Sequence, residues 1–226
     1  MTPRPDVPAG DFAAWLNGTR EALSTDGDAD VPCGECTACC RSSFFIHIRP
    51  HETEALACIP REVLFPAPGL PAGTVVMGYD ASGCCPMLRH GACSVYAHRP
   101  QTCRAFDCRV FSAAGIESDK PLVDEHARRW EFSYPAEQDG VLHAATRDAA
   151  RFLREHHECF PGGKAPGNPA HVALLAITVC DIFARTPDSG AARMSVEDIV
   201  DAVVEARERF GTVRAASSSA DGGERG

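Results

Sequence analysis

Cysteine is the residue type whose number and spacing carry chemistry here: the 226-residue chain holds twelve. Four fall in Cys33-Gly-Glu-Cys36-Thr-Ala-Cys39-Cys40, and five more are Cys84, Cys85, Cys93, Cys103 and Cys108. Thiolate is the soft ligand of zinc, copper(I) and iron–sulfur clusters, commonly four sulfurs to a centre. A C-x2-C spacing lets two sulfurs of one turn meet a single ion, and Cys33/Cys36 and Cys36/Cys39 are two overlapping pairs of that kind. The first three positions match a bacterial ferredoxin run, but Cys40 follows at once rather than after three residues, so the remaining ligands must come from the second group. Adjacent side chains diverge in extended chain. Cys39 and Cys40, like Cys84 and Cys85, therefore serve two centres, or one of each pair ligates while the other packs.

The charge around the second group supports thiolates. From Cys84 to Arg109 the fixed charges are Arg89, Arg99, Arg104 and Arg109 against Asp107 alone, +3 in a chain of net charge −9. Four thiolates on a divalent ion leave a net negative charge that nearby guanidinium groups offset. Cys58 and Cys180 sit in apolar surroundings and read as small packing residues, and His156-His157-Glu158-Cys159 as a wet helix end. His90 and His98 flank the second group as ligands, supporting residues or exposed side chains, and Tyr96 and Phe106 are expected to cover the centre.

The order Cys33-x2-Cys36-x2-Cys39-Cys40, Cys85-Pro86-x-Leu88, Gly91-x-Cys93-Ser-Val-Tyr96-x2-Arg99-Pro100-x2-Cys103-Arg104-x-Phe106 resembles the YkgJ family of bacterial cysteine-cluster proteins. The resemblance spans roughly residues 31–112. It implies a zinc- or iron-chelating domain with Cys33, Cys36, Cys39, Cys40, Cys85, Cys93 and Cys103 as ligands, and Cys108 as an eighth member. A similar cysteine module accompanies flagellin lysine methylases, though no Gly-rich methyl-donor loop stands in this chain. Eight cysteines suit two four-ligand centres, one cluster plus one zinc, or one cluster plus structural thiols.

These cysteines need elements to carry them. Phe12, Trp15, Leu16 and Leu23 mark a helix over 11–24 with Asp11 as N-cap; Trp15 and Trp130 read as core anchors. Residues 43–49 favour a strand closed by Pro50, and 51–58 a short helix. Phe65–Gly73 reads as a loop, with strands over 74–79 and 92–96 and a short helix after Arg99-Pro100 that carries Cys103. Such a region hardly builds a dense core by itself, the circumstance in which small folds recruit a metal. Helices are expected over 141–158, after Asn168-Pro169, and after the capping box Ser195-Val-Glu-Asp198, with Gly211 ending the last.

The expectation is an α+β fold in one domain over 1–211: an irregular cysteine-bound β/turn core, about 31–112, packed against about four to five helices, with the helical C-terminal part over about 136–211 and a disordered tail at 212–226. The acidic balance, with a pI near 5.4, argues against nucleic acid. No apolar run nears the roughly 18–20 residues of a membrane span, and the N-terminus lacks the layout of a secretory signal, so a cytoplasmic protein is expected. The function read from these residues is an iron–sulfur protein for electron transfer or sensing, or a zinc protein. The alternatives are a structural zinc module for a protein partner and a thiol–disulfide enzyme using Cys33/Cys36. A metal-dependent hydrolase or oxygenase would need an H-E-x-x-H or 2-His-1-carboxylate pattern, which the sequence lacks.

Overall fold

The computed structural model describes residues 5–25, 27–29, 31, 33–163, 165–184 and 194–220. In chain order its elements are β1 (Val7–Asp11), α1 (Phe12–Thr25), β2 (Ile46–Ile48), α2 (Thr53–Cys58), β3 (Leu64–Pro66), β4 (Val75–Met77), β5 (Leu88–Arg89), β6 (Ala92–Cys93), α3 (Gln101–Arg104), α4 (Arg109–Ala114), α5 (Pro121–Ala127), β7 (Trp130–Ser133), α6 (Glu137–Glu155), α7 (Pro169–Val179) and α8 (Val196–Ala220). Among the described residues, eight helices and three small sheets, 52% helix against 11% strand, make this an α+β fold. The chain divides into two compact units, one of Asp28–Asp107 with Lys120–His126, the other of Met1–Gly27, Cys108–Asp119 and Ala127–Gly226. No helix of the described residues is long and apolar enough to cross a membrane.

The helical unit is organised by small residues. Ala145, Ala149 and Ala150 of α6 and Ala173 and Ala176 of α7 are all buried, so these helices approach closely, and α7 packs on α4, α6 and α8. That explains why α7 is apolar all round. Asn168 caps it as expected, its Oδ1 accepting from the amides of Ala170 (2.9 Å) and His171 (3.4 Å). The capping box of α8 also forms: Asp198 donates its amide to Ser195 Oγ and accepts from the Ser195 amide, each at 3.1 Å. Helix α8 then continues through Gly211 to Ala220, past the point where glycine was expected to end it, since Ala215, Ala216 and Ala220 are strong helix formers. Residues 221–226 of the expected tail lie outside the described residues.

The N-cap of α1 is a correction. Asp11 gives its carboxylate to Ser133 Oγ, and it is buried Asp139 of α6 that accepts from the Ala13 amide (2.7 Å) while its other oxygen takes the Ala136 amide (2.9 Å). One carboxylate thus caps two helices, 126 residues apart in one case. The strands β1 and β7, which hydrophobic alternation does not reveal, pair in parallel with an irregularity between Pro8 and Gly10. Proline supplies no ladder donor there, and Gly10 takes a φ of +92°. Trp15 and Trp130 are core residues as expected.

A stacked histidine gives this unit a pH dependence. His143 lies 4.4 Å from the Phe12 ring, 17° from parallel, and Tyr134 Oη sits 2.6 Å from its Nδ1. Burial first, and then the Arg147 guanidinium, push its pKa from 6.5 down to about 4, against the Ser112 and Ala113 carbonyls, which favour the charged ring. Because the folded value is depressed, the unfolded chain takes up a proton first as pH falls. Stability is therefore full above about pH 6.5 and is lost as pH falls from there towards 4. The ring is partly exposed, so about 1–2 kcal/mol is expected. Urea midpoints followed by tryptophan fluorescence across that window should fall for the native chain and stay flatter for His143→Phe.

The other unit holds a three-stranded antiparallel sheet in the order β2-β4-β3 and the hairpin β5-β6. Phe65 and Pro66, expected in a loop, form part of edge strand β3 paired to β4; a proline is tolerated there because an edge amide faces no partner. Ile48, Ala55, Ile59, Met77, Met87 and Val95 form a buried cluster with Cys85 and Cys93 packed against it. The cysteine region therefore has an apolar core of its own, contrary to the expectation. Full burial of an Ile or Met side chain such as Ile48, Ile59 or Met77 contributes about 1.5–3 kcal/mol.

Candidate metal centre

Three stretches of the sheet-containing unit carry the central cysteines, and backbone hydrogen bonds fix each. The first is Cys33–Ser43. Cys36 donates its amide to the Cys33 carbonyl (2.9 Å), residues Cys39–Arg41 form a 3-10 turn, and Ser42 Oγ donates to the Ala38 carbonyl (2.7 Å). The second stretch is Asp80–Cys93. Asp80 Oδ1 accepts from the amides of Ser82 (2.9 Å) and Cys84 (3.0 Å) and from Ser82 Oγ (2.6 Å), bonds that hold its carboxyl below its ordinary range. This folds the loop so that Gly83, at φ +80°, meets Ser43, whose amide donates to the Gly83 carbonyl (3.0 Å). A Cβ at Gly83 would stand 2.6 Å from Ser43 Oγ, so the approach requires glycine.

The two stretches then meet directly, the Cys85 amide donating to the Cys40 carbonyl at 2.7 Å. Beyond it, Leu88 pairs with Cys93 across the hairpin, and His90 (φ 50°) with Gly91 (φ 80°) makes its two-residue turn. Two consecutive left-handed residues match the twist of such hairpins, which accounts for His-Gly at the tip.

The third stretch is α3, carrying Cys103. Glu52 accepts from the Arg49 amide (2.8 Å) with one oxygen and from the Gln101 amide (2.6 Å) with the other, while Thr102 Oγ1 donates to the His47 carbonyl (2.7 Å). Arg104 donates to the Arg99 carbonyl and to Asp28 Oδ2 (2.8 Å), and its own carbonyl accepts from the Ala29 amide (3.1 Å). The chain leading into Cys33 is thereby tied to α3. Replacing Glu52 with Ala frees the first amide of α3 and is expected to cost about 1.4 kcal/mol locally, a tenfold faster hydrogen exchange at Gln101, read by NMR or mass spectrometry.

These anchors bring Cys40, Cys85, Cys93 and Cys103 into one electrostatic group: every one of their six pairs interacts, and Cys36 joins through Cys40. Burial first, and then the charges of Cys85, Cys40 and Cys93, push the Cys103 thiol up to about 12. Cys40 is pushed up to about 11 by burial and by Cys85, Cys93 and Cys36, and Cys85 is raised chiefly by burial. Arg99 pulls both Cys40 and Cys103 the other way. Thiols so raised are poor nucleophiles at neutral pH, the reverse of what thiol–disulfide exchange selects. A thiophilic cation would invert this balance and draw off the protons.

The donor chemistry fits such a cation, whereas the side chains do not converge on a single point. Among the described residues no group of three or more His, Cys, Asp or Glu side chains stands ready to hold a metal ion. No disulfide joins the cysteines either. Cys33 and Cys39 lie on the first stretch, and Cys84 precedes Cys85 at the end of the Asp80 loop. Cys108 belongs to the helical unit, where it is buried and its sulfur accepts from Trp130 Nε1 at 3.1 Å.

The other candidates have separate occupations. His98 pairs with Glu54 (3.2 Å), Tyr96 lies under Arg99, and Phe106 packs on Phe44 at 5.3 Å. His156 packs on Phe152 at 4.6 Å, Cys159 is exposed, and Cys58, expected to be a packing residue, is instead exposed at the end of α2, whose buried residue is Ala55. Cys180 is buried, accepting from Arg20 at 3.1 Å. Sequence reasoning missed Glu52, Asp80, Ser43 and Gly83; of these, Asp80-x-Ser82-Gly83 carried a turn signal that could have been used. No protein-family model, no curated protein and no solved structure compared with the chain matches it.

Proposed function

We propose that this chain is a metal-binding cysteine-cluster protein whose centre is closed by the thiolates of Cys40, Cys85, Cys93 and Cys103. The observation that carries the reading is the gathering of three cysteine-bearing stretches: the Cys85 amide bonds the Cys40 carbonyl at 2.7 Å, Cys85 and Cys93 pack on one apolar cluster, and Thr102, beside Cys103, bonds the His47 carbonyl next to that cluster. Cys33, Cys36 and Cys39 stand on the stretch that leads to Cys40 and are the further sulfurs available to a larger cluster or a second centre. The YkgJ-type order of cysteines supports the same reading, as does the Cys85-to-Cys40 backbone bond that links two of the stretches. A reducing compartment, the cytoplasm, belongs to this reading, because thiolate ligands persist there.

Four thiolates suit either zinc or an iron–sulfur cluster. Zinc closed by four cysteines serves structure or a protein contact; an iron–sulfur cluster serves electron transfer or sensing. Binding draws the four sulfurs inward and releases their protons, so affinity falls as pH falls. Anaerobic purification followed by a visible spectrum and elemental analysis tests the proposal. Iron with acid-labile sulfide and a brown colour supports a cluster, and about one equivalent of zinc in a colourless protein supports zinc. A protein that is metal-free, and that takes up neither metal on reconstitution, would overturn it.

A further inference from the structure

We propose that the outer face of the β2-β4-β3 sheet is a docking surface for an apolar segment of a partner protein that also carries a lysine or arginine. It does not depend on the cysteine centre. Strand alternation defines the face. Ile46, Ile48, Leu64, Val75 and Met77 form or pack against the buried cluster, so His47, Phe65 and Val76 stand on the opposite side. Phe45, just before β2, joins them. Gly78, directly after β4, is the floor between two rings: a Cβ there would stand 3.7 Å from Phe45 Cε1 and 3.9 Å from Phe65 Cε2. Tyr79 adds a third ring, 5.2 Å from that of Phe45. Phe45 is 59% exposed, Phe65 57% and Tyr79 43%.

Area, edges and charge select the occupant. Aromatic side chains bury about 150–250 Å² each when covered, so the exposed parts of these three offer roughly 300 Å². That is the size of a functional patch, yet well short of the roughly 800 Å² that each side of a stable interface contributes. A second copy of this chain is therefore too large an occupant for the patch, and a short segment suits it. Strand addition is disfavoured at both edges. The Leu64 amide of β3 is taken by the Arg61 carbonyl and Pro66 has none, while Thr102 occupies the His47 carbonyl of β2. The segment must then lie on the face. Asp80, which follows Tyr79, supplies the charge. Its Oδ1 takes the bonds from Ser82 and Cys84, and among the described residues Oδ2 carries none, so a fixed carboxylate oxygen remains for a cation at the edge of the rings. Acidic residues outnumber basic ones in this unit, as in the whole chain of net charge −9, which favours a basic partner and disfavours nucleic acid.

The test uses the full chain, reduced and without oxygen, against a displayed library of random short peptides. Synthetic copies of the enriched sequences are then titrated by fluorescence anisotropy. The enriched peptides are expected to place apolar side chains within a few residues of Lys or Arg. Phe65→Ser should weaken their binding about tenfold or more, as for a central aromatic of an interface. Exchanging the basic residue of the peptide for Gln should cost about threefold at low ionic strength, a gap that closes towards 1 M salt, where the screening length is about 3 Å. Circular dichroism checks the variants, and Phe45→Ser takes the place of Phe65→Ser should the latter not fold. Peptides that bind the native chain and the serine variant alike overturn the inference, as does enrichment of acidic sequences or of none. Sedimentation showing a native dimer that Phe65→Ser abolishes gives the face to a second copy and overturns it too.

Discussion

Cys103→Ser, purified under reducing conditions, is expected to lose about 10²–10³ in metal affinity, because one thiolate of four accounts for about a quarter of the roughly 10–16 kcal/mol that structural zinc sites supply. Cys103 is the strongest position for this substitution. It is the cysteine that α3 carries, and it interacts with Cys85, Cys40 and Cys93 of the other two stretches. Serine keeps the size and the short α3 helix while removing the soft donor. Cys58→Ser is the matched control, an exposed cysteine at the end of α2. Chelator competition should place Cys58→Ser beside the native chain and Cys103→Ser far below it. Equal affinities for all three would remove Cys103 from the centre.

The second large effect is structural. Phe12→Ala is expected to destabilise the helical unit by about 3–5 kcal/mol, the range for emptying a buried aromatic site. Phe12 is fully buried, with the rings of Trp15, Phe132 and His143 at 5.6, 5.0 and 4.4 Å. It also sits at the joint where β1 passes into α1, beside the Ala13 amide that Asp139 caps, so the surroundings cannot collapse without disturbing that bond. Urea unfolding followed by tryptophan fluorescence reports it, since Trp15 lies against the lost ring. A change below about 1 kcal/mol would contradict this packing.

The sequence made the long helices legible for a physical reason: each carries its own periodic apolar face and a local cap, as Asn168 and Ser195 show. It left Asp139 hidden because the amide of Ala13 lies far away in the chain, and no local pattern announces a carboxylate serving two helices. The pair β1-β7 escaped for the same reason, being short, parallel and interrupted by Pro8. Short helices such as α4 and α5 span one to two turns, too little for a period to register.

At the site, cysteine spacing marked the stretches of chain that the backbone brings together. It could not reveal the means of juxtaposition, which are an Asx turn at Asp80, a glycine pressed on Ser43, and a glutamate joining β2 to α3. Nor could it separate Cys40 from Cys39 or Cys85 from Cys84; that choice depends on which way a 3-10 turn and a tight loop direct each sulfur. The arginine excess was visible as a sum, but the stacking of Arg99 on Tyr96 became visible only in three dimensions.

The most direct measurement is X-ray absorption at the metal edge of the anaerobically purified, metal-loaded chain. Sulfurs gathered from residue 40 and residues 85–103 predict a first shell of four sulfur scatterers at about 2.3 Å, reduced in Cys103→Ser. A first shell dominated by nitrogen or oxygen, or one that Cys103→Ser leaves unchanged, would contradict it.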